Sequence, residues 1–196
     1  MTSHEHLRTP GFLDLVREDL ASMAELKKAR WPSLSGLADI LLLPGTWAVL
    51  LFRISGALHR AGLRPLSRIV YFFNCVLFGA DLAPSADIGP GLALPHPVGV
   101  AFSPVRIGRR ARLMGGVRLG GGGYDDPSRD GLPTIGDDCY VFDGAKIFGG
   151  VSVGDRVVVG TNSVVSRDVP SDVIVVGNPA RVVKHRDTPD APMSTI

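Results

Sequence analysis

Apolar residues recur at helical spacing along the first eighty positions of the chain. After Thr9-Pro10, Phe12, Leu13, Val16, Leu20, Met23 and Leu26 fall three or four residues apart. Proline is favoured in the first turn of a helix, so Thr9-Pro10 reads as a start and the spacing as one amphipathic helix. Trp31-Pro32 ends it, because proline offers no amide donor and clashes with the preceding turn. The most apolar run, "ADILLLPGTWAVLLF" (38–52), is 15 residues long and is interrupted by Pro44-Gly45. A membrane-crossing helix needs roughly 20 apolar residues, so this run predicts a buried helical pair. Further helical stretches are predicted over roughly 46–60 and 65–79, divided by a turn at Gly62. Arg53, Arg60, Arg64 and Arg68 flank these apolar runs, which leaves peripheral attachment to a bilayer open.

Beyond residue 80 the period changes to six. Ile135, Val141, Ile147, Val153, Val159 and Val165 each stand six residues after the last, and glycine follows Ile135, Val153 and Val159. An earlier series, Leu82, Ile88, Leu94, Val100, then Ile107, Leu113 and Leu119, keeps that step with one extra residue before Ile107. Such a period suits neither a helix nor a hairpin meander. It predicts a β-helix, in which three short strands make one coil and each repeated aliphatic points into a narrow prism. A sandwich of short strands would meet this spacing only by chance. The chain therefore divides into an α-helical region (1–80), a β-helix (81–183) and a polar, proline-containing tail (184–196), an α+β organisation.

Composition removes several function classes. The 196 residues are 45% hydrophobic and 20% charged with a net charge of +2, which gives no electrostatic drive toward nucleic acid. Cys75 and Cys139 stand alone in apolar settings, so neither a disulfide framework nor a cysteine zinc site is expected, and packed thiols in a reducing cytoplasm are. The start, "MTSHEHLRTP", lacks the basic-then-apolar architecture of a secretion signal. No metal is expected, because one histidine in the repeat region cannot build a ligand set.

That histidine is His96, set between two prolines in the charge-free run "ALPHPVGVAF". Imidazole titrates near ~6.5 and is suited to take a proton from a hydroxyl. A hydrogen-bonded core histidine locked by Pro95 and Pro97 is the competing reading. The terminal "VVGNPARVV", the stretch "FGADLAPSADIGPGLALPHPVGV" and the helical "VREDL" and "PGTWAVLLFRISGAL" resemble the serine acetyltransferase branch of the hexapeptide-repeat acyltransferases, from about Asp14 to Val183. The resemblance implies a left-handed parallel β-helix, a homotrimer and acetyl-CoA in the groove between neighbouring subunits, with hexamers left open because the helical part is shorter here. It also implies a catalytic dyad, since the family's base aligns with His96 and its orienting aspartate, fifteen residues earlier, with Asp81. A buried carboxylate would fix the imidazole tautomer and stabilise its cation.

The stretch "LGGGGY" (119–124) opens the one long interruption of the repeat, which ends at about Pro133. Its glycines let a ligand approach the backbone, and no Gly-Lys-Ser/Thr follows, which excludes a P-loop. By resemblance Gly121, Ala145, Gly149, Gly160 and Thr161 line the pantetheine groove. Arg181 and Lys184 are candidates for the CoA phosphates, with a solvated basic tail as the alternative.

Departures from the family concentrate on the acceptor pocket. Trp31 stands for an aspartate, Pro95 for the aspartate before the base, and Gly131-Leu132 for an Arg-His pair. Apolar partners would leave an amino acid's two charges desolvated and unpaired. The expected acceptor is therefore a hydroxyl on a sugar, a polysaccharide unit or another biosynthetic intermediate, with L-serine as the alternative and a non-catalytic trimeric scaffold as the reading of another class. Arg118 or Arg129 could replace the missing carboxylate contact, or serve only as surface charges.

Overall fold

A computed structural model describes residues 10–28, 32–122 and 131–186. Trp31, Arg129, the glycine-rich loop beyond Gly122 and the tail beyond Arg186 lie outside the described residues.

Four helices come first: α1 (Phe12–Lys27), α2 (Leu34–Leu41), α3 (Pro44–Arg60) and α4 (Arg64–Phe78). The apolar run across Pro44-Gly45 forms the expected helical pair, α2 and α3, bent by 81°. Among the described residues no single helix is long and apolar enough to cross a membrane. Ala48, Val49 and Phe52 of α3 are buried in the core, and the Phe52 ring meets Phe102 edge-on at 5.4 Å between centroids.

Fourteen short strands follow: β1 (Asp81–Leu82), β2 (Asp87–Ile88), β3 (Ala101–Phe102), β4 (Arg106–Ile107), β5 (Arg112–Leu113), β6 (Arg118–Gly120), β7 (Thr134–Ile135), β8 (Tyr140–Val141), β9 (Lys146–Phe148), β10 (Ser152–Val153), β11 (Val158–Val159), β12 (Val164–Val165), β13 (Val173–Val176) and β14 (Arg181–His185). They stack into three parallel sheets, ordered β1-β3-β6-β9-β12, β10-β7-β4-β2 and β14-β13-β11-β8-β5. The hexad aliphatics point inward and form one continuous core. Among the described residues only β14 runs antiparallel, against β13, and its own residues are exposed.

The first coils depart from the spacing in one instructive place. Leu82, Phe102 and Leu119 are in register on the first sheet, so Phe102 takes the position the hexad series assigns to Val100. Eight residues separate Leu94 from Phe102, where six separate Leu113 from Leu119, Val141 from Ile147 and Val159 from Val165. Val100 is fully buried all the same. Its apolar character mimics a repeat position while the surplus chain is spent in the turn at 95–99, which carries His96.

The helices are locked to this coil by a buried ion pair. Arg53 of α3 donates to both Asp19 oxygens of α1 at 2.8 and 3.0 Å, and also to the carbonyls of Ile88 and Gly89. Asp19 in turn accepts from the amides of Gly91 and Leu92. Every polar atom of the pair is thereby employed, which is the condition for burying such charges. The start of α3 rests directly on the histidine's turn: a Cβ added at Gly45 would lie 1.6 Å from the Leu94 carbonyl oxygen.

Candidate active site

The long turn puts His96 at the surface, while the flanking Pro95 and Pro97 are buried. Its imidazole makes no hydrogen bond within the described chain, so the locked core histidine is not what the fold builds. The backbone around it is held firmly. Corners of successive coils stack, with the Gly99 amide donating to Gly79, that of Gly116 to Val98, that of Gly144 to Gly115 and that of Asn162 to Asp143. Gly99 and Gly116 have φ values of 76° and 69°, left-handed conformations that a side chain would strain.

Asp81 lies on the outer face of the first sheet, one coil below this turn. Its Oδ1 accepts a hydrogen bond of 2.5 Å from the Tyr71 hydroxyl of α4. That bond, with burial adding to it, raises the Tyr71 pKa above the ordinary phenol range. The structure does not join Asp81 to His96 by a hydrogen bond within one chain. What it brings together is Tyr71 and Asp81, and the sequence reading missed Tyr71. The only available signal was its position ten residues before Asp81, in the last helix before the repeat.

A groove of about 400 Å³ runs over this sheet face, lined by Tyr71, Asp81, Ser103, Arg118, Gly120 and Phe148 among others. Along the register Asp81, Ala101, Arg118 and Lys146 form one outward column. Lys146 turns its ammonium to the Gly144 carbonyl at 3.0 Å. Arg118 is exposed and forms no ion pair or side-chain hydrogen bond among the described residues.

The residues expected around acyl-CoA divide between the two edges of this sheet. Gly121 and Gly149 follow β6 and β9 at one edge, where the Gly149 amide donates to Gly120. Gly160 and exposed Thr161 precede β12 at the other, on the same stack of corners as His96. Ala145 is completely buried in the prism core, so its methyl cannot face the groove and only its backbone can contribute. Its place after Gly144 in an inward-turning corner accounts for that. Arg181 and Lys184 are exposed on β14, and the Ala180 amide ties the start of that strand to Val164 of β12.

Pro95 and Leu132, the expected acceptor-pocket residues among those described, do not meet within one chain. Pro95 is buried under the start of α3, beside the space Gly45 leaves open, and Leu132 sits near Gly121 at the opposite edge of the sheet. Trp31 lies outside the described residues. No group of three or more His, Cys, Asp or Glu that could hold a metal occurs among the described residues.

No family model matches the chain. Proteins named serine acetyltransferase do. One from Bacillus pumilus is 32% identical over 191 residues, covering 91% of this chain and 86% of the relative. One from Synechococcus elongatus is 35% identical over 150 residues, and the chain spans 61% of its length. Among solved structures, the Neisseria gonorrhoeae serine acetyltransferase in complex with serine superposes with a TM-score of 0.76 at 29% identity, over 88% of this chain and 69% of that one. The Brucella abortus serine acetyltransferase in complex with coenzyme A gives 0.77 at 28%, over 88% and 67%.

Proposed function

The chain belongs to the serine acetyltransferase family of left-handed β-helix proteins and is an acetyl-CoA-dependent O-acyltransferase, and from that premise we propose that its acceptor is the hydroxyl of L-serine. The observation that carries this reading is the match to proteins of that name through most of their length, helices included. It displaces the saccharide acceptor that the apolar Pro95 and Leu132 suggest. Apolar side chains at those two positions exclude one way of holding a zwitterion, and they leave other charged groups free to hold it.

In the proposed reaction His96 Nε2 or Nδ1 takes the proton from the serine hydroxyl as its oxygen attacks the thioester carbonyl. The tetrahedral intermediate collapses, the carbon–sulfur bond breaks, and the imidazolium returns the proton to the departing CoA thiolate. O-acetylserine and free CoA are the products. Asp81 is the proposed orienting carboxylate. Its Oδ1 is already held by Tyr71, which leaves Oδ2 as the oxygen available to the imidazole. Gly121, Gly149, Gly160, Thr161 and the Ala145 backbone are assigned to the pantetheine arm, Arg181 and Lys184 to the CoA phosphates.

A homotrimer suits this arrangement. Helix α4 leaves Ile69, Phe72, Phe73, Val76 and Leu77 about half exposed or more, an apolar face that a second copy of the chain would cover. Two free thiols and a thioester donor fit a reducing cytoplasm.

The test is product identification with acetyl-CoA and a panel of L-serine, homoserine and sugars. O-acetylserine as the main product supports the reading, and acetylation of a sugar with L-serine untouched overturns it.

A further inference from the structure

We propose that Arg118 anchors the acceptor's carboxylate, replacing the Arg-His pair whose aligned positions are Gly131 and Leu132. The inference rests on L-serine as acceptor and adds the residue that selects it. An amino acid held without a cation opposite its carboxylate would be desolvated and unpaired at its most charged end. Some other group in the groove must therefore supply the positive charge.

Arg118 fits by position. Neighbouring strands lie ~4.8 Å apart, so the Asp81 and Arg118 backbones stand two strand spacings, about 10 Å, from one another. The strand between them carries Ala101, whose methyl leaves a notch on the sheet surface. His96 belongs to that middle coil and stands at its corner, where the next corner's Gly115 packs against the histidine's Cβ side. A molecule seated over Ala101 thus has the carboxylate of Asp81 below and the guanidinium above, and the strand beneath it begins at the turn that carries His96. An amino acid has the length to span that notch.

Arg118 also fits by elimination. Its column partner Lys146 is committed to the Gly144 carbonyl, whereas the Arg118 guanidinium has no partner among the described residues. Guanidinium forms a planar fork matched to a carboxylate's two oxygens, which gives orientation as well as charge. Serine held so has its hydroxyl fixed relative to His96.

The experiment compares L-serine with L-serinamide, which keeps the hydroxyl and ammonium and loses the carboxylate charge. In Arg118→Gln the KM for L-serine is expected to rise roughly 10- to 100-fold, as for loss of a charged hydrogen-bonding group, while KM values for L-serinamide and acetyl-CoA do not move. Arg118→Lys recovers part of the loss by restoring charge without the fork. An unchanged serine KM in Arg118→Gln overturns the proposal, as does an equal rise for serine and its amide. A rise confined to acetyl-CoA overturns it too, by assigning Arg118 to the CoA phosphates. So does a serine-specific rise in Arg129→Gln with Arg118→Gln unaffected. If the unmodified protein does not acetylate L-serine, the acceptor reading itself fails and takes this inference with it, a result distinct from each of the others.

Discussion

Tyr71 and His96 are the two side chains on which the proposed chemistry depends most. Tyr71 holds one oxygen of Asp81, so Tyr71→Phe should leave the fold intact and lower kcat several-fold by letting the carboxylate turn. Steady-state kinetics with a melting curve separates the two effects: equal loss of stability and activity would make Tyr71 merely structural. Cys139 supplies a second residue-scale prediction. Burial pushes its thiol up to about 12, with nearby Asp155, Asp138 and Asp137 adding to the rise. It should resist a thiol reagent at neutral pH in the folded protein and react once denaturant is added. Because the folded thiol holds its proton more tightly than the unfolded one, stability should fall as pH rises above the ordinary thiol value of 9.0 toward 12. His96 stands out as the candidate base because it is the one histidine among the repeats. Tyr71 does not stand out, because a hydrogen bond from a helix to a strand leaves no periodic mark.

At the scale of elements, sequence and structure agree wherever burial is periodic. Helical spacing foretold α1, α3 and α4, and the step of six foretold the three-sheet prism, since each hexad aliphatic must point inward. The misreading of Val100 has a physical cause. A buried valine at the right interval is indistinguishable in sequence from a repeat position, and only strand register shows that Phe102 stacks on Leu82 and Leu119. The two surplus residues between Leu94 and Phe102 are what lift His96 out of the prism. Support for this turn comes from α3, so Gly45→Ala should be severe: a methyl there meets the Leu94 carbonyl. The expected cost is about 3 kcal/mol or more, read as a drop in melting temperature together with loss of activity. Asp19→Ala should cost about 3–5 kcal/mol by leaving Arg53 buried without its counter-charge. A neutral outcome in chemical denaturation would show that the pair does not bind the helices to the first coil.

For the molecule as a whole, the proposed trimer predicts a mass. One chain weighs 20.8 kDa, and light scattering in solution should give three times that value or, if trimers pair, six. A monomer would leave the groove open on one side and remove the proposed partner of the exposed α4 face. Acceptor choice also belongs to this scale. Pro95 and Leu132 argued from sequence against an amino acid, yet they lie at opposite edges of one sheet and do not form a pocket within the chain. In the proposed trimer the pocket would be shared between subunits, and such a pocket cannot be judged from which residues one chain has lost.

The most direct test is thiol release from acetyl-CoA with L-serine as sole acceptor, for the unmodified protein and His96→Ala side by side. Release that depends on L-serine and falls roughly a hundredfold or more in a folded His96→Ala variant is the expected result. Undiminished release in that variant, or none with L-serine in the unmodified protein, would contradict the account.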